Sequence, residues 1–390
     1  MAHWIFTEEH KLFRHAIRKF VHKEVTPYIE EWEHNETIPR RFFTRLGELG
    51  YLGISQQEKY GGSNLDTITE AILIEELVKA GAAGPALAVI HHLSALCYVS
   101  NFGSEEAKEQ YLRNGIAGTF IFTTSSSRKK TSELVVKRGE NAYWSEGQVT
   151  LFSGETGDIA IVQAKTEDEN ANSLFLVELK SEGIHCSSGK KLLGWRSLKQ
   201  NQVSFENVSM PIHSLIGFKG YGEEYRKEAA HWEHTMTAIC CVMLAENALD
   251  AAKRYSQERV QFGKPIASFQ ALRHMMADMA VAIEKSRAIT YRSLYLLSQE
   301  DRSPTFPAIK TMALKNAVEM VTDVCDHALQ IHGGAGYMME FPIQRYWRDG
   351  KMFSSFYNEE LKNNRDIVNW LNHSKGGQGL AEKNSVTSFS

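Results

Sequence analysis

The chain has 390 residues, of which 43% are hydrophobic and 23% are charged. These fractions are typical of folded globular proteins and exclude a disordered or fibrous chain. The 44 basic and 47 acidic residues give a net charge of −3, so the charge balance does not favour a nucleic-acid partner or an anionic membrane surface. At roughly 100–200 residues per domain, the length predicts two or three domains.

Cysteine usage and the N-terminus bear on the cellular compartment. The five cysteines form no C-x-x-C pair and have no spacing typical of a zinc site, and their odd number favours a reducing compartment. The N-terminus has no charged segment followed by an apolar run, and the longest apolar stretch, residues 238–245, is shorter than a membrane span. We therefore expect a cytoplasmic protein without a membrane anchor.

The first third of the sequence has the hydrophobic spacing of helices. Large apolar side chains recur at helical intervals over residues 7–32, with charged residues between them. Similar patterns predict helices at residues 41–49 and 66–80, and the apolar run at residues 86–99 predicts a buried helix. We assign residues 1–117 to an N-terminal helical domain.

Short runs rich in branched and aromatic residues follow, separated by turn-forming residues. These runs are residues 120–122, 134–137, 149–152, 159–165, 174–179 and 202–205. Because the runs are short, close together and not interrupted by a helical pattern, they predict an antiparallel β-sandwich or barrel rather than a parallel βαβ sheet. We assign residues 118–217 to this central domain.

Helical periodicity returns after Gly222. The predicted helices are residues 223–259, 268–298, 307–331 and 358–371. We assign residues 218–373 to a C-terminal four-helix-bundle domain and residues 374–390, which contain few apolar side chains, to a disordered tail. The predicted fold class is therefore α+β and multidomain, in the order helices, strands, helices.

One segment suited to a phosphate-containing ligand follows the longest predicted helix. It begins at Arg259, includes Phe262, and reads RVQFGKPI. An arginine can neutralise a phosphate, and an aromatic ring can cover a flat ligand. Arginine, glycine and lysine are also common where a helix ends, so this segment alone leaves both interpretations open.

A second, glycine-rich segment lies between two predicted helical regions. It reads QIHGGAGY from Gln330 to Tyr337 and continues as EFPIQRYWRD to Asp349. Glycines allow the backbone to approach a ligand closely. A helix rather than a strand leads into the segment, so it is not a Rossmann dinucleotide motif. A tight turn between helices is the alternative interpretation.

These two segments resemble the acyl-CoA dehydrogenase family of flavoproteins. Residues 259–270 resemble the family's R-x-x-F-G-K-P-I-x-x-F-Q stretch, and residues 330–349 resemble its Q-x-x-G-G-x-G-Y…E-x-P-x-x-R-x-x-R-D stretch. The order of helices, strands and helices also matches the family's domain plan. The resemblance implies an FAD-dependent oxidoreductase that removes an α-proton from an acyl thioester, passes the β-hydride to flavin N5 and yields a 2,3-enoyl thioester.

The resemblance further implies residues and partners. Arg259 and Phe262 would hold the pyrophosphate and adenosine of FAD across a subunit interface, with Gln330 and Gly334 at the same end of FAD and Gln270 nearby. A homo-oligomer is therefore implied, either a dimer or a dimer of dimers, usually a tetramer. The implied partners are an acyl-CoA or acyl-carrier substrate and an electron acceptor such as an electron-transfer flavoprotein.

The chain departs from the family where the flavin ring is expected to lie. The family's T-E-P-x-x-G-S-D stretch reads TTSSSRKK here, and only Thr123 is retained. In the next flavin-facing segment Ser153 is retained, while Leu151 replaces the family's tryptophan. We therefore expect altered or weaker flavin binding. The basic run at residues 128–130 is interpreted either as a contact for the phosphates of a CoA or carrier arm or as a solvated loop.

The position of the catalytic base differs as well. Tyr357 stands where the family commonly has glutamate, and a tyrosine with a pKa of about 10 is a poor base. Isovaleryl and long-chain members take the base from an early turn of the first C-terminal helix, where this chain has Glu233. Glu233 is therefore the preferred base, with a solvated helix residue as the alternative. Glu359 or Glu360 would require a shift in register.

Other interpretations remain open. The same fold can support oxygenation or carrier-bound oxidation, and a flavin-poor chain can serve as an acyl-binding or structural subunit. His231 and His234 flank Glu233, but no further ligands have suitable spacing, so no metal site is predicted. The pair His91 and His92 is interpreted as core or as a wall of an acyl pocket.

Overall fold

The computed structural model describes residues 5–125, 133–167 and 171–374. The basic run at residues 128–130 lies outside the described residues, as do residues 375–390 of the predicted tail. The N-terminal helices are α1 (Glu8–Glu24), α2 (Ile29–His34), α3 (Arg40–Glu48), α4 (Thr67–Val78), α5 (Gly84–Phe102), α6 (Glu105–Ala107) and α7 (Arg113–Ile116).

The helix predicted over residues 7–32 is divided into two. The α1 helix begins after Thr7, whose hydroxyl accepts a hydrogen bond from the His10 amide at 3.3 Å. A short 3₁₀ turn, Thr26–Tyr28, separates α1 from α2 and contains Pro27. Because proline has no amide hydrogen and its ring crowds the preceding turn, a continuous helix is disfavoured here.

The central domain is one eight-stranded sheet, folded on itself. Its strands are β1 (Phe122–Thr124), β2 (Val135–Arg138), β3 (Ala142–Phe152), β4 (Ile159–Thr166), β5 (Asn172–Glu178), β6 (Ile184–Cys186), β7 (Gln200–Pro211) and β8 (Leu215–Ile216). The strand order is β6-β7-β3-β2-β4-β5-β8, and β1 pairs with β4.

The predicted fold class is confirmed, with one correction to the sheet. Most strand pairs are antiparallel, but β1 and β2 each pair with β4 in parallel. The sheet is therefore mixed. The prediction of an antiparallel sheet assumed that neighbouring runs pair with each other, whereas the chain between β2 and β4 forms β3 and returns with β4 in the same direction as β2.

Strand β3 separates two hydrophobic cores. Side chains alternate between the two faces of a strand, so Leu151 packs inside the sandwich with Val203 and Phe205. Phe152 points the other way and belongs to the core shared with the helices. The face of β3 that meets the helical domains therefore carries Phe152.

The C-terminal region is helical. It contains α8 (Gly222–Glu258), a small hairpin of β9 (Val260–Gln261) and β10 (Lys264–Pro265), α9 (Gln270–Ser298), α10 (Thr305–His332), α11 (Ile343–Phe356), α12 (Asn358–Lys362) and α13 (Arg365–Ser374). Helices α8, α9 and α10 pack against one another, and α11 packs on α8 and α10. The helix predicted over residues 358–371 is thus two short helices.

Helix α8 lies at the centre of the molecule. Among the described residues, it alone has the length and composition of a membrane span, with a mean hydropathy of 1.2 over its most apolar window. However, 78% of that window is buried inside the protein, against helices that include α4, α5 and α10. Its apolar character therefore matches that of a core helix.

One buried carboxylate joins all three regions. Asp349 on α11 accepts hydrogen bonds from the Ala83 amide before α5 at 3.0 Å and from the Trp195 amide before β7 at 2.7 Å. Asp349 is fully buried, and unbonded amides at such a depth are costly. This carboxylate therefore fixes the loop that carries Trp195 against the two helical regions.

Candidate active site and cofactor groove

Tyr357, at one predicted base position, packs on α8, the helix that carries the other, Glu233. Tyr357, at the end of α11, is only 1% exposed, and its hydroxyl lies 2.9 Å from the Thr237 hydroxyl on α8. The His234 ring is 6.1 Å from the Tyr357 ring, edge to face. Glu233 is half-buried and lies one helical turn before Thr237, on the same side of α8.

The buried surroundings of α8 include a carboxyl group that the sequence analysis did not identify. Glu70 on α4 accepts hydrogen bonds from the Ser55 hydroxyl at 2.5 Å and from the Trp232 indole N–H at 2.6 Å. Burial raises the pKa of Glu70 to about 7. The spacing of Glu70 within this apolar helix gives no signal of its partner, so only the fold shows that it lies beside Trp232, the residue preceding Glu233.

The residues predicted to face the flavin ring hold the end of β3. The Thr123 hydroxyl donates to the Phe152 carbonyl at 2.6 Å. The Ser153 amide donates to the Lys199 carbonyl at 2.6 Å, and Ser153 has a positive φ of 50°, which non-glycine residues adopt rarely. Thr123 and Ser153 therefore shape the backbone turn on which Phe152 is presented.

The prediction that Leu151 faces the flavin ring is wrong. Leu151 is buried in the sandwich, and its neighbour Phe152 is the β3 residue on the helical side. The alternation of a strand, counted from the core positions Val149 and Leu151, was the sequence signal that identifies Phe152.

Phe152 belongs to a closed set of rings, which we call the aromatic cluster. Its ring centroid lies 4.9 Å from that of His91, 5.1 Å from Phe356 and 6.1 Å from Trp195. Phe356 is 5.1 Å from Tyr357, so the cluster extends to the base position. The members of the aromatic cluster are His91, Phe152, Trp195, Phe353, Phe356 and Tyr357.

The histidine pair on α5 has two different environments. His92 is fully buried; the Phe122 amide donates to its Nδ1 at 3.1 Å, so its Nε2 donates to the Gly115 carbonyl at 3.1 Å. His92 is thus a core residue, and burial lowers its pKa to about 4. His91 instead pairs with the Thr124 hydroxyl at 3.1 Å and contacts Phe152, which places it beside the aromatic cluster.

His231, two residues before Glu233, packs against an aromatic ring. His231 stacks on Phe306 at 4.9 Å, and burial lowers its pKa to about 4. In the part of the chain that the structure describes, no group of three or more His, Cys, Asp or Glu side chains is arranged to hold a metal ion.

The two motif segments meet in an open surface depression, which we call the α8–α10 groove. It has a volume of about 510 Å³, and its lining residues are Tyr255, Arg259, Gln261, Ile266, Ile331, His332, Gly333, Gly334 and Ala335. Gly333 has a positive φ of 55°, and no atom lies within 4 Å of the place where a side chain would begin on Gly333 or Gly334. The glycines therefore leave a free backbone surface next to the Arg259 guanidinium.

The remaining predicted residues lie on the surface around this groove. Phe262 is in the β9–β10 turn, is 93% exposed and has a positive φ of 53°. Gln330, in the last turn of α10, and Gln270, at the start of α9, are exposed. The structure thus brings Arg259 and Gly334 together in one groove, while Thr123 and Ser153 lie with Phe152 at the other site.

Comparison with known proteins identifies the family. The N-terminal domain model of acyl-CoA dehydrogenases matches residues 7–119, and the C-terminal domain model matches residues 220–356. The chain is 31% identical over 360 residues to a probable acyl-CoA dehydrogenase, YngJ, of Bacillus subtilis, covering 89% of this chain and 93% of the relative. It is 30% identical over 362 residues to the mitochondrial long-chain specific acyl-CoA dehydrogenase of Rattus norvegicus, covering 89% and 83%.

A solved structure supports the fold. A chain of the structure described as the electron transferring flavoprotein of Acidaminococcus fermentans superposes with a TM-score of 0.84 at 28% identity, covering 90% of this chain and 94% of that chain. The protein therefore belongs to the acyl-CoA dehydrogenase family. It is an oxidoreductase of the class that acts on CH–CH groups, and FAD-dependent dehydrogenation of acyl-CoA is the general activity of the family.

The residues of this chain fit the two halves of FAD unequally. The α8–α10 groove offers a cation, a glycine backbone surface and a nearby exposed ring, which suit an adenosine diphosphate. We call the region between the β3 turn and the base position, where the flavin ring is expected, the ring end. There the Phe152 and Phe356 rings are in contact. The adenosine diphosphate half therefore fits the chain as it is arranged, whereas the contact between Phe152 and Phe356 leaves no space for a flavin ring between them.

Proposed function

We propose that the protein dehydrogenates the α,β bond of an acyl thioester, with Glu233 as the base that removes the α-proton. The observation that carries this proposal is that Tyr357 contacts the same part of α8 that carries Glu233. Thr237, one turn after Glu233, is hydrogen bonded to Tyr357, which occupies the family's usual base position. A carboxylate on this side of α8 therefore replaces the glutamate that the chain lacks at position 357.

The neighbouring side chains position the substrate and shield the base. The Tyr357 and Thr237 hydroxyls bond to each other, so Tyr357 holds α11 against α8 and fills the space of the missing glutamate. The His234 ring packs edge to face on Tyr357 and shields this side of α8 from water. FAD, when bound, supplies the acceptor for the hydride that leaves the β-carbon, and the product is a 2,3-enoyl thioester.

The proposal includes the partners implied by the family resemblance. The substrate is an acyl-CoA or a carrier-bound acyl group, the electron acceptor is an electron-transfer flavoprotein, and the protein is a cytoplasmic homo-oligomer, either a dimer or a dimer of dimers. Support for an oligomer comes from the large exposed side chains beside the α8–α10 groove, Val260, Phe262, Tyr337, Met338 and Met339. Contiguous exposed apolar side chains mark interaction surfaces.

The test is the bleaching of bound flavin by acyl-CoA without oxygen. The FAD-loaded protein is mixed anaerobically with a panel of acyl-CoAs, and the visible flavin band is followed over time. We expect Glu233→Gln to slow bleaching by about 10²–10⁴-fold, the usual contribution of a general base. Glu228→Gln, an exposed glutamate on the same helix, is the matched control. Equal rates in the wild type and Glu233→Gln contradict the assignment of the base.

A second candidate, a flavin-poor acyl-binding subunit, is favoured by one observation. The contact between the Phe152 and Phe356 rings leaves no room for another ring between them. In that case, protein incubated with excess FAD and then desalted is colourless but still binds an acyl-CoA. A stable flavin spectrum after desalting contradicts this second candidate.

A further inference from the structure

The ring end of the candidate site is closed by the protein's own side chains. Phe152 is 1% exposed, and its ring contacts come from three different elements, namely His91 on α5, Trp195 before β7 and Phe356 on α11. The family resemblance implies that the flavin ring lies between the β3 turn, which Thr123 and Ser153 hold, and the base position on α8. In this structure, the Phe152 ring occupies the start of that path.

A buried polar atom shows that this closed packing is incomplete. Trp195 is 1% exposed, and its indole N–H has no hydrogen-bond partner among the described residues. An unbonded donor at such a depth costs free energy. An isoalloxazine ring has carbonyl oxygens and ring nitrogens at its edge, so a ring inserted beside Trp195 supplies an acceptor that the aromatic side chains do not.

The backbone of Phe152 is better fixed than its side chain. Its carbonyl accepts the Thr123 hydroxyl at 2.6 Å, and the next residue is tied to Lys199. The side chain has no hydrogen-bonding group and is held by its packing in the core and its ring contacts. A side-chain rotation of Phe152 therefore opens the ring end without unfolding the β3 turn.

The α8–α10 groove has none of these obstacles. Its two glycines meet no atom within 4 Å, and Arg259 lies exposed at its edge. Its residues come from α8, β9, α10 and the turns that follow them, and none belongs to the aromatic cluster. The two halves of the cofactor therefore meet independent parts of the chain, one open and one closed.

We propose that Phe152 is the residue that sets how tightly this protein holds the isoalloxazine ring. With Phe152 in the aromatic cluster, FAD binds through its adenosine diphosphate half alone. The ring enters only when the Phe152 side chain leaves the cluster, and the lost ring contacts reduce the affinity for FAD. This inference rests on the proposed function, because it concerns the cofactor that the reaction uses.

The experiment compares FAD with ADP on the full-length protein by titration calorimetry. For the wild type, we expect dissociation constants for FAD and ADP that agree within about threefold, since the ring contributes little net binding. For Phe152→Thr, we expect FAD to bind at least about tenfold more tightly, with quenched flavin fluorescence and unchanged ADP affinity. Leu151→Ala, which loosens the same strand on its other face, is the matched control and leaves the ratio unchanged.

Two results overturn the inference. One is a wild-type protein that binds FAD more than about tenfold tighter than ADP, a measurement that does not depend on the folding of any variant. The other is a folded Phe152→Thr protein, checked by its melting curve, in which the FAD affinity does not change. Phe152→Val, which keeps a branched strand-forming residue, serves as the second variant if the threonine protein does not fold.

Failure of the proposed function gives a different result. If Phe152→Thr takes up the flavin ring but no acyl-CoA bleaches it, the role of Phe152 stands and the dehydrogenase proposal fails. If acyl-CoA bleaches the wild-type flavin through Glu233 while Phe152→Thr changes no affinity, the dehydrogenase proposal stands and the role of Phe152 fails.

Discussion

The aromatic cluster and the α8–α10 groove differ in how they relate to the rest of the fold. The cluster combines rings from both helical regions and from the sheet, and all of its members except the partly buried Phe356 are buried. The groove consists of two short neighbouring segments and is open to solvent. A substitution in a tightly packed core affects every neighbouring side chain. A site that depends on packing between domains can therefore change while a site made of short local segments keeps its form.

The largest expected effect tests whether the buried site depends on the contact between the domains. Asp349→Ala removes the acceptor of the buried Ala83 and Trp195 amides, and each unbonded buried amide is costly, so we expect a loss of about 4 kcal/mol in the free energy of unfolding. Urea denaturation measures this loss. ADP affinity, measured below the transition, should remain unchanged, because the groove does not contact Asp349.

Asp326→Ala is the matched control for Asp349. Asp326 is a partly exposed carboxylate on α10 that pairs with Lys351 and accepts a hydrogen bond from the Trp347 indole, both at 2.5 Å. An exposed ion pair contributes less than about 1 kcal/mol and a hydrogen bond about 1 kcal/mol, so the expected loss is smaller than for Asp349. Equal losses in the two variants would show that the buried site does not depend on Asp349.

The next effect concerns Glu70, whose burial should make the stability of the protein depend on pH. The pKa of Glu70 is raised from 4.5 to about 7 by burial, so the folded protein holds this proton more tightly than the unfolded chain. Stability should therefore fall as the pH rises from about 4.5 through about 7, by on the order of 3 kcal/mol.

Glu70→Gln should remove this part of the pH dependence. A glutamine amide can donate to the Ser55 hydroxyl and accept from the Trp232 indole, so the buried hydrogen bonds are kept without a titrating group. Melting temperatures of the wild type and Glu70→Gln at pH 5 and pH 8 give the comparison, with the exposed Glu58→Gln as control. A variant whose melting temperature falls with pH as steeply as that of the wild type contradicts the role of Glu70.

The smallest expected effect lies in the groove. Arg259→Gln removes the cation that faces a phosphate, and we expect ADP and FAD to bind about tenfold more weakly, or about 1.4 kcal/mol. The melting temperature should not change, because Arg259 is exposed. Lys253→Gln, an exposed cation earlier on α8, is the control. Loss of FAD binding without loss of ADP binding would mean that Arg259 acts on the ring half instead.

Local periodicity in the sequence predicted most of the fold. Apolar spacing identified the helices and short β runs in the correct order, since each depends on neighbouring residues. It did not predict the break at Pro27, where a helical pattern continues through a proline. It also did not predict α11, whose residues were interpreted only as part of a family motif although their apolar side chains recur at helical spacing. The parallel pairing of β4 with β1 and β2 depends on contacts distant in sequence.

The candidate site was predicted only in part, because sequence spacing identifies local motifs but not contacts between distant segments. Motifs with fixed spacing, such as the segments that carry Arg259 and Gly334, identified residues that the structure brings together in the groove. No spacing places Thr237 next to Tyr357, since 120 residues separate them. Phe152 was not predicted, because alignment with the family motif puts Leu151 at the flavin-facing position. The alternation of side chains along a strand, which points to Phe152, was not applied.

The Trp195 indole, which has no hydrogen-bond partner in the part of the chain that the structure describes, also has an optical consequence. Of the seven tryptophans in the chain, Trp195 is the one in the aromatic cluster, and it packs edge to face against Phe353 at 4.8 Å. An indole in dry surroundings without a hydrogen bond emits at shorter wavelength than a hydrated one. The protein therefore contains an intrinsic fluorophore at the position where a flavin ring would accept its excitation energy, and the ultraviolet emission of Trp195 reports directly whether the ring end is open or closed.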